Sequence, residues 1–207
     1  MNLNDLMIEA KWSLFLDRDG VLNRRIVDGY VTHWDEFAWL PGVLDSLKIL
    51  SGIFNPIIVV SNQQGIGKGI MTSDELTDIH SRLIEDVKTQ GGRIDAVYFS
   101  PHLAKVGAFI RKPNVGMGLK ARKEFPSIHF RESVMVGDSL SDMLFGRRLG
   151  MKTVFLSENK SDLRKGHKLI DFAFPDLPTF TNSLTKAPQH KITMAPWHHG
   201  TTSPPEK

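Results

Sequence analysis

The sequence predicts an α/β fold in which a parallel sheet is covered by helices on both faces. Short apolar runs alternate along the chain with longer stretches of helical periodicity, which is the order of β-α-β crossovers. The strand-like runs are apolar at nearly every position, as in strands that are buried on both faces of a sheet. Polar residues stand directly after these runs, at the sheet edge where such folds bind ligands.

Each element has its own signal in the sequence. The apolar runs at 12–16 and 56–60 predict the first two strands, and the helix between them begins after Pro41-Gly42 with apolar residues at helical spacing. The capping sequence at 72–75 predicts the start of a second helix. The remaining predicted elements are a strand at 94–99, a helix at 115–125, a strand at 133–136, a helix at 140–149 and a strand at 152–156.

The composition of the 207 residues is that of an ordinary globular protein, with 41% hydrophobic and 24% charged residues. The absence of cysteine excludes a disulfide framework, a cysteine nucleophile and a thiolate metal site, and it fits a reducing compartment. Apolar runs stay short of the length that spans a bilayer, and residues 1–11 lack the continuous apolar stretch of a signal peptide. We therefore expect a cytoplasmic monomer without membrane partners.

The formal net charge of +3 is concentrated near the C-terminus. Residues 186–207 contain three lysines and one glutamate, so +2 of the charge lies there and the body is nearly neutral. The same segment holds four prolines and has no apolar periodicity. We expect one domain over residues 1–185 and a flexible tail over 186–207. Nucleic acid is not the expected partner, because its binding normally requires basic residues on the folded body.

Two pairs of carboxylates stand at predicted strand ends. Asp17 and Asp19 follow the first strand, and Asp138 and Asp142 follow the fourth. Paired carboxylates suit a hard cation such as Mg²⁺, and one of them could act as a nucleophile towards phosphorus. An acidic turn and a favourable charge at a helix N-terminus are the structural alternatives.

Two further loops carry groups that bind phosphate. The loop at 61–69 (Ser-Asn-Gln-Gln-Gly-Ile-Gly-Lys-Gly) offers a hydroxyl, amides and backbone N–H groups, without the spacing of a P-loop. Arg111 and Lys112 precede a helix and could hold an anion. An ordinary glycine-rich loop and a solvated basic pair are the alternatives. Together, the four loops predict phosphate and magnesium chemistry at one edge of the sheet.

These four segments resemble the haloacid dehalogenase (HAD) superfamily of phosphohydrolases. Asp-Arg-Asp-Gly-Val-Leu-Asn at 17–23, the loop at 61–69, Arg-Lys-Pro-Asn-Val-Gly-Met at 111–117 and Val-Gly-Asp-Ser-Leu-Ser-Asp-Met at 136–143 are similar to its branch of heptose bisphosphate and histidinol-phosphate phosphatases. The resemblance covers about 12–156 and implies a HAD-like Rossmannoid parallel sheet. The intervals between motifs are too short for a separate cap domain, so we expect an open site with at most a flap at 24–39.

The resemblance implies a catalytic role for four residues. Asp17 would be the nucleophile that forms an aspartyl-phosphate, and Asp19 would protonate the leaving alcohol and then activate water. Ser61 would hydrogen-bond the transferring phosphoryl group. Lys112 would neutralise charge on Asp17 and on the phosphate.

The same resemblance implies a metal site and a substrate site. Asp138 would bind Mg²⁺ together with the Asp17 carboxylate and the Asp19 backbone carbonyl, and Asp142 would support these ligands from behind. The substrate-binding residues would be Asn23, Asn62 and Arg111, with Arg111 contacting the distal polar groups of the substrate.

One motif of this branch is missing. Its members often carry a zinc loop, Cys-x-His … Cys-x-Cys, but the matching positions here are Ser100, His102, Ala108 and Ile110. Because a structural zinc needs four ligands and three are replaced, we expect no zinc. We expect residues 108–110 to pack that loop by apolar contacts instead.

The resemblance leaves the substrate open. Heptose 1,7-bisphosphate is favoured and histidinol phosphate comes next, while the loops at 61–69 and 111–117 also resemble those of polynucleotide 3′-phosphatases. A non-catalytic binding module would be favoured by loss of Asp17, Asp19, Lys112 or Asp138, and all four are present. A small phosphorylated metabolite is therefore the expected partner.

Overall fold

The computed structural model describes residues 12–159 and 168–185. Within them, six parallel strands form one sheet in the order β3-β2-β1-β4-β5-β6. The strands are β1 Ser13–Leu16, β2 Ile57–Asn62, β3 Ala96–Ser100, β4 Ser133–Gly137, β5 Lys152–Leu156 and β6 Phe172–Phe174. The helices are α1 Val43–Ser51, α2 Gln64–Gly67, α3 Ser73–Thr89, α4 Gly116–Glu124, α5 Leu140–Leu149 and α6 Leu177–Thr185.

Helices cover both faces of the sheet, because successive strand side chains point to opposite sides. On one face, Leu14 and Leu16 of β1 pack in a buried cluster with residues of α1, α3 and α6. On the other face, Phe15 packs in a cluster with residues of α4 and α5. All three strand residues are fully buried, and burying each such side chain contributes about 1.5–3 kcal/mol. The predicted fold class is confirmed.

The strand register brings the expected site to one edge. Leu16 is paired with Val59 of β2 and Val136 of β4, so the residues that follow these positions emerge side by side. The backbone N–H of Asp17 extends the ladder by donating to the carbonyl of Val136 at 3.0 Å. The first carboxylates after β1 therefore lie between the loops that follow β2 and β4.

Three elements differ from the sequence-based expectation. The helix α2 lies within the segment expected to be a glycine-rich loop, and its Gly67 approaches the loop after β3 so closely that a Cβ would lie 2.5 Å from the carbonyl oxygen of Pro101. The strand β6 and the helix α6 lie beyond the predicted elements. The expected tail at 186–207 falls outside the described residues.

The segment between β1 and α1 is the expected flap. Its base is closed by a bridge between Asn23 and Trp39 and by the backbone N–H of Arg24, which donates to the carbonyl of Ala38 at 2.8 Å. Trp34 stacks on Phe37, and the Trp39 indole donates to Asp86 of α3 at 2.9 Å. These three aromatic residues pack the flap against the core.

No helix within residues 12–159 and 168–185 combines the length and the hydrophobicity that a membrane span requires.

Candidate active site

A cavity of about 480 Å³ opens at the carboxyl ends of the central strands. Six of the expected site residues line it: Asp17, Asp19, Ser61, Asn62, Arg111 and Lys112. The flap adds Arg25, Asp28 and Tyr30, and α2 adds Gln64 and Lys68. Of the flap aromatics, Tyr30 is therefore the one that reaches the mouth.

Lys112 is the buried cation at the base of this cavity. Its ammonium lies 2.9 Å from Asp17 and 2.6 Å from Asp142, and it also donates to the carbonyl of Val60 at 2.7 Å. Lys112 is only 2% exposed, so these bonds take the place of water around the charge. The same Asp17 oxygen, Oδ1, accepts the backbone N–H of Arg18 at 2.7 Å. Asp17 is thereby held in one orientation.

The carboxylates outnumber this lysine. Burial raises the pKa of Asp17 to about 7, Asp142 and Asp138 add to the rise, and Lys112 opposes it. Burial likewise raises the pKa of Asp138 to about 6, although Arg25 opposes the shift. Burial works against the charge of Lys112, but Asp142 and Asp17 outweigh it and raise the pKa of the ammonium. The cluster therefore favours a further cation.

Backbone geometry places Asp138 and Asp142. The helix α5 begins with a capping box in which the backbone N–H of Ser139 donates to Asp142 Oδ2 at 3.1 Å. Ser139 Oγ donates to the same oxygen at 2.6 Å, and Asp142 Oδ1 faces Lys112. A Cβ on Gly20 would lie 1.9 Å from an oxygen of Asp138, and Gly20 has φ +91°. Only glycine lets the turn after β1 approach Asp138 this closely.

The donor atoms fit Mg²⁺. Oxygens of Asp17, Asp138 and Asp142 lie within 4.8 Å of one another, and oxygen donors are the ones that Mg²⁺ prefers. The guanidinium of Arg25 bonds to Asp138 Oδ1 at 2.7 Å and to the backbone carbonyl of Asp19 at 3.0 Å. This pair of oxygens thus attracts a positive group, and both belong to the expected metal ligands.

Asp19 is held by three side chains, of which the sequence singled out only one. Arg18 makes a two-pronged contact to its carboxylate, Asn23 Nδ2 donates to Oδ1 at 3.0 Å and Gln63 Nε2 donates to Oδ2 at 2.7 Å. A fifth bond comes from Arg18 Nε at 3.3 Å. Burial works to raise the pKa of Asp19, but Arg18, Asn23 and Gln63 outweigh it and lower the pKa below its ordinary value.

Asn23 differs from its expected place. It was expected at the substrate mouth, but it is fully buried and lies outside the residues that line the cavity. Its side-chain amide donates to the carboxylate of Asp19 and to the backbone carbonyl of Arg24, so it helps to fix the orientation of Asp19. Its backbone forms the bridge to Trp39 at the base of the flap.

Ser61, Asn62 and Arg111 lie around the cavity. Ser61 Oγ accepts from Gln63 at 2.7 Å, and the Asn62 amide pairs with both backbone polar groups of Lys112 at 3.0 Å. Arg111 donates to the carbonyl of His102 at 2.9 Å and lines the outer part of the cavity. Asn62 therefore also fixes the backbone that carries Lys112.

Hydrogen bonds from the Asn114 side chain to backbone carbonyls hold the loop that lacks the zinc motif. The Asn114 amide donates to the carbonyls of Gly107 and Ala108 at 3.1 Å. Ile110 packs against the core beside α4, but Phe109 is 64% exposed. The expectation of apolar packing over 108–110 is therefore right for Ile110 and wrong for Phe109.

Sequence reasoning missed Arg18, Arg25 and Gln63. Arg18 and Gln63 stand inside motifs that were already identified, but their residue types alone gave no sign that both point at Asp19. Arg25 contacts a residue 113 positions away, which no local pattern reveals.

Known proteins share this architecture. A family model described as HAD-hydrolase-like matches residues 109–180. A D-glycero-beta-D-manno-heptose-1,7-bisphosphate 7-phosphatase of Pasteurella multocida is 33% identical over 184 residues, covering 84% of this chain and 98% of that protein. This chain belongs to the HAD-like hydrolases. Among these hydrolases, its family is that of the heptose bisphosphate phosphatases.

Two other HAD-like relatives extend the comparison. A D-glycero-alpha-D-manno-heptose-1,7-bisphosphate 7-phosphatase of Mycobacterium bovis is 41% identical over 133 residues, covering 64% of this chain and 70% of that protein. The crystal structure of a D,D-heptose 1,7-bisphosphate phosphatase from B. bronchiseptica, complexed with magnesium and phosphate, has a TM-score of 0.76 and 26% identity. It covers 84% of this chain and 98% of its own. This HAD-like chain is a phosphomonoester hydrolase.

Proposed function

We propose that this phosphatase removes the 7-phosphate of D-glycero-D-manno-heptose 1,7-bisphosphate through an aspartyl-phosphate on Asp17, with Mg²⁺ as its cofactor. The observation that carries the proposal is the position of Asp17, which lies 2.9 Å from the buried ammonium of Lys112 at the open end of the sheet. The relatives' names and the magnesium and phosphate in the B. bronchiseptica structure support the same reading.

The reaction proceeds in two steps. Asp17 attacks phosphorus, the P–O bond to the sugar breaks, and the departing alkoxide takes the proton of Asp19. Only the protonated form of Asp19 can serve in this step, and it is a minor form because Arg18, Asn23 and Gln63 lower the pKa of Asp19. A water molecule then attacks the phosphoryl group on Asp17, passes a proton to Asp19 and releases phosphate. Lys112 and Ser61 lower the cost of the negative charge in both steps. Mg²⁺ bound by Asp17, Asp138 and the Asp19 carbonyl would supply further positive charge.

The charges at the mouth favour a substrate with a second phosphate. Arg25, Lys68 and Arg111 line the cavity, and Asp28 on the flap is the carboxylate in that lining besides the catalytic Asp17 and Asp19. Lys68 lies 5.2 Å over the ring of Tyr30, so its ammonium is held at the rim. Arginine and lysine attract a distal phosphate, whereas they repel the protonated amine of histidinol phosphate. This contrast separates the two metabolite candidates.

The two relatives carry the alpha and the beta names of the sugar, which differ in the direction of the C1 oxygen. We expect a preference between the two bisphosphates, set by the positions of Lys68 and Arg111.

The test is a comparison of kcat/KM, with Mg²⁺, for both heptose bisphosphates, histidinol phosphate and a 3′-phosphorylated oligonucleotide. We expect at least about tenfold preference for one bisphosphate, equivalent to about 1.4 kcal/mol. Lys68→Met should lower kcat/KM for the bisphosphate while changing that for a monophosphate by less than about twofold. A preference for histidinol phosphate, or a strongly salt-dependent preference for the oligonucleotide, would contradict the assignment.

The nucleophile is tested by Asp17→Asn. The amide is close in shape but is a poor nucleophile, so we expect less than about a tenth of the activity, a loss of several kcal/mol of transition-state stabilisation. Circular dichroism should show an unchanged fold. Activity above that level in a contamination-free preparation would exclude Asp17 as the nucleophile.

We also propose that the enzyme is cytoplasmic and monomeric. We propose in addition that it binds neither zinc nor nucleic acid. The absence of cysteine supports a reducing compartment, and the replaced zinc ligands support the expected lack of that metal. Light scattering measures the oligomeric state directly.

A further inference from the structure

We propose that Arg18 is a positioning residue for Asp19 and that His80 of α3 holds Arg18 in place. The inference rests on the proposed function, in which Asp19 transfers protons. It assigns a task to a buried arginine and a buried histidine that the phosphoryl-transfer machinery itself does not contain.

Arg18 lies between the two aspartates of the first motif and is fully buried. Its Nη2 atom donates to both carboxylate oxygens of Asp19, at 2.9 and 3.0 Å, and its Nε donates to Oδ1 at 3.3 Å. A buried guanidinium is costly unless it is paired and hydrogen-bonded. Asp19 is its ion-pair partner, so the two side chains fix each other.

The remaining bonds complete the orientation of the carboxylate. Asn23 donates to Oδ1 of Asp19 at 3.0 Å and Gln63 donates to Oδ2 at 2.7 Å, so each oxygen is held by Arg18 and by one amide. Gln63 also donates to Ser61 Oγ at 2.7 Å. Gln63 thereby links the Asp19 carboxylate, which transfers protons, to the Ser61 hydroxyl, which is expected to hydrogen-bond the phosphoryl group. Proton transfer requires such placement, because it occurs only within hydrogen-bond reach.

His80 supports the far side of Arg18. Its Nε2 lies 3.3 Å from Arg18 Nη1, and its ring lies 5.8 Å from that of Phe99. Because the guanidinium can only donate, the bond requires an unprotonated Nε2. Burial, followed by the charge of Arg18, lowers the pKa of His80 to about 3, although the charge of Asp19 acts to raise it. His80 is therefore a neutral acceptor, and it begins a series of hydrogen bonds that runs from α3 through Arg18 to Asp19.

This arrangement predicts which step suffers when Arg18 changes. An alkyl phosphate needs a proton for its leaving alkoxide, whereas nitrophenolate leaves without one. Hydrolysis of the aspartyl-phosphate needs Asp19 as a base for either substrate. A displaced Asp19 should therefore slow both steps with an alkyl phosphate, but only the second step with p-nitrophenyl phosphate.

The experiment is rapid-quench kinetics of Arg18→Lys and Arg18→Met with p-nitrophenyl phosphate and an alkyl phosphate. Lysine keeps the charge but cannot make the two-pronged contact. With the aryl substrate we expect a burst of nitrophenol within about threefold of the wild-type rate, and steady-state turnover lowered by at least about tenfold. The acid-quenched protein should carry phosphate on Asp17. With the alkyl phosphate kcat should fall while KM changes by less than about threefold.

His80 provides a second pair of variants in case the Arg18 variants fail to fold. His80→Leu removes the acceptor and His80→Gln keeps a neutral one. We expect the leucine variant to accumulate at least about fivefold more phosphoenzyme than the glutamine variant. His129→Gln, at an exposed histidine outside the cavity lining, should behave as wild type.

The inference is overturned if the burst and the steady state fall together, if only KM changes, or if neither rate changes. The variant Asp19→Asn distinguishes a failure of the positioning role of Arg18 from a failure of the proposed function. Stalled phosphoenzyme in Asp19→Asn but not in the Arg18 or His80 variants contradicts the positioning role alone. Absence of phosphoenzyme from wild type and every variant contradicts the proposed function itself.

Discussion

Replacing Lys112 by methionine should destabilise the fold as well as abolish turnover. Lys112 is 2% exposed and neutralises two carboxylates, at 2.9 Å from Asp17 and 2.6 Å from Asp142. Removing one partner of a buried ion pair typically costs about 3–5 kcal/mol, because the remaining charge stays buried without compensation. We expect the free energy of unfolding of Lys112→Met to fall by about that amount at about pH 8.

The loss should depend on pH in a defined direction. The pKa of Asp17 is already raised to about 7 with Lys112 present, and Lys112 opposes that rise. Removing the lysine therefore raises this pKa further, and protonation of Asp17 becomes the way to neutralise the buried charge. The difference between variant and wild type should be largest above about pH 8 and should shrink as the pH falls towards about 5.

The assay is urea unfolding of both proteins in EDTA across that pH range, because a bound divalent cation would itself compensate the carboxylates. Lys123→Met on the exposed side of α4 is the matched control, and we expect it to change stability by less than about 0.5 kcal/mol. A loss below about 1 kcal/mol for Lys112→Met at high pH would refute the reasoning. A difference that grows on acidification would refute it equally.

Five further predictions concern the metals, the pH dependence of stability and the tail. Gly20→Ala should weaken Mg²⁺ binding at least about tenfold in calorimetry, because its Cβ would meet Asp138 at 1.9 Å. Gly69→Ala, which has a similar positive φ of +70° but no atom within 4 Å, should have little effect on binding. Binding of Mg²⁺ should strengthen from about pH 5.5 to 7.5, since the pKa values of Asp17 and Asp138 are raised to about 7 and about 6 and protons compete with the metal. The raised pKa values of these two carboxyls make the metal-free protein less stable as the pH rises over the same range, whereas the lowered pKa of His80 acts in the opposite direction. Two carboxyls outweigh one histidine, so stability should decrease, and an increase would contradict the assigned shifts. Elemental analysis should find no stoichiometric zinc, and one zinc per chain would overturn that expectation. Deleting residues 186–207 should leave the preference for sugar phosphate over 3′-phosphorylated DNA intact.

The sequence by itself determined the first five strands of the sheet, the edge that carries the site and the chemical type of the site. Apolar runs mark strands because both faces of a parallel sheet are buried, and the residue after each run must emerge at the same edge. Asp17, Ser61 and Lys112 could therefore be assigned to one cavity from local pattern alone. The capping sequence at 72–75 located the start of α3 for a similar local reason, since both of its hydrogen bonds are made within one turn.

Only the tertiary structure decided which way the supporting side chains point. The resemblance placed Asn23 among the substrate-binding residues, but in the structure it is buried and its side-chain amide donates to Asp19. The contact of Arg18 with His80 spans 62 residues of chain, and that of Arg25 with Asp138 spans 113. Such pairs depend on how separately formed elements dock on the sheet. Periodicity and residue type describe only neighbours along the chain, so they cannot specify these pairs.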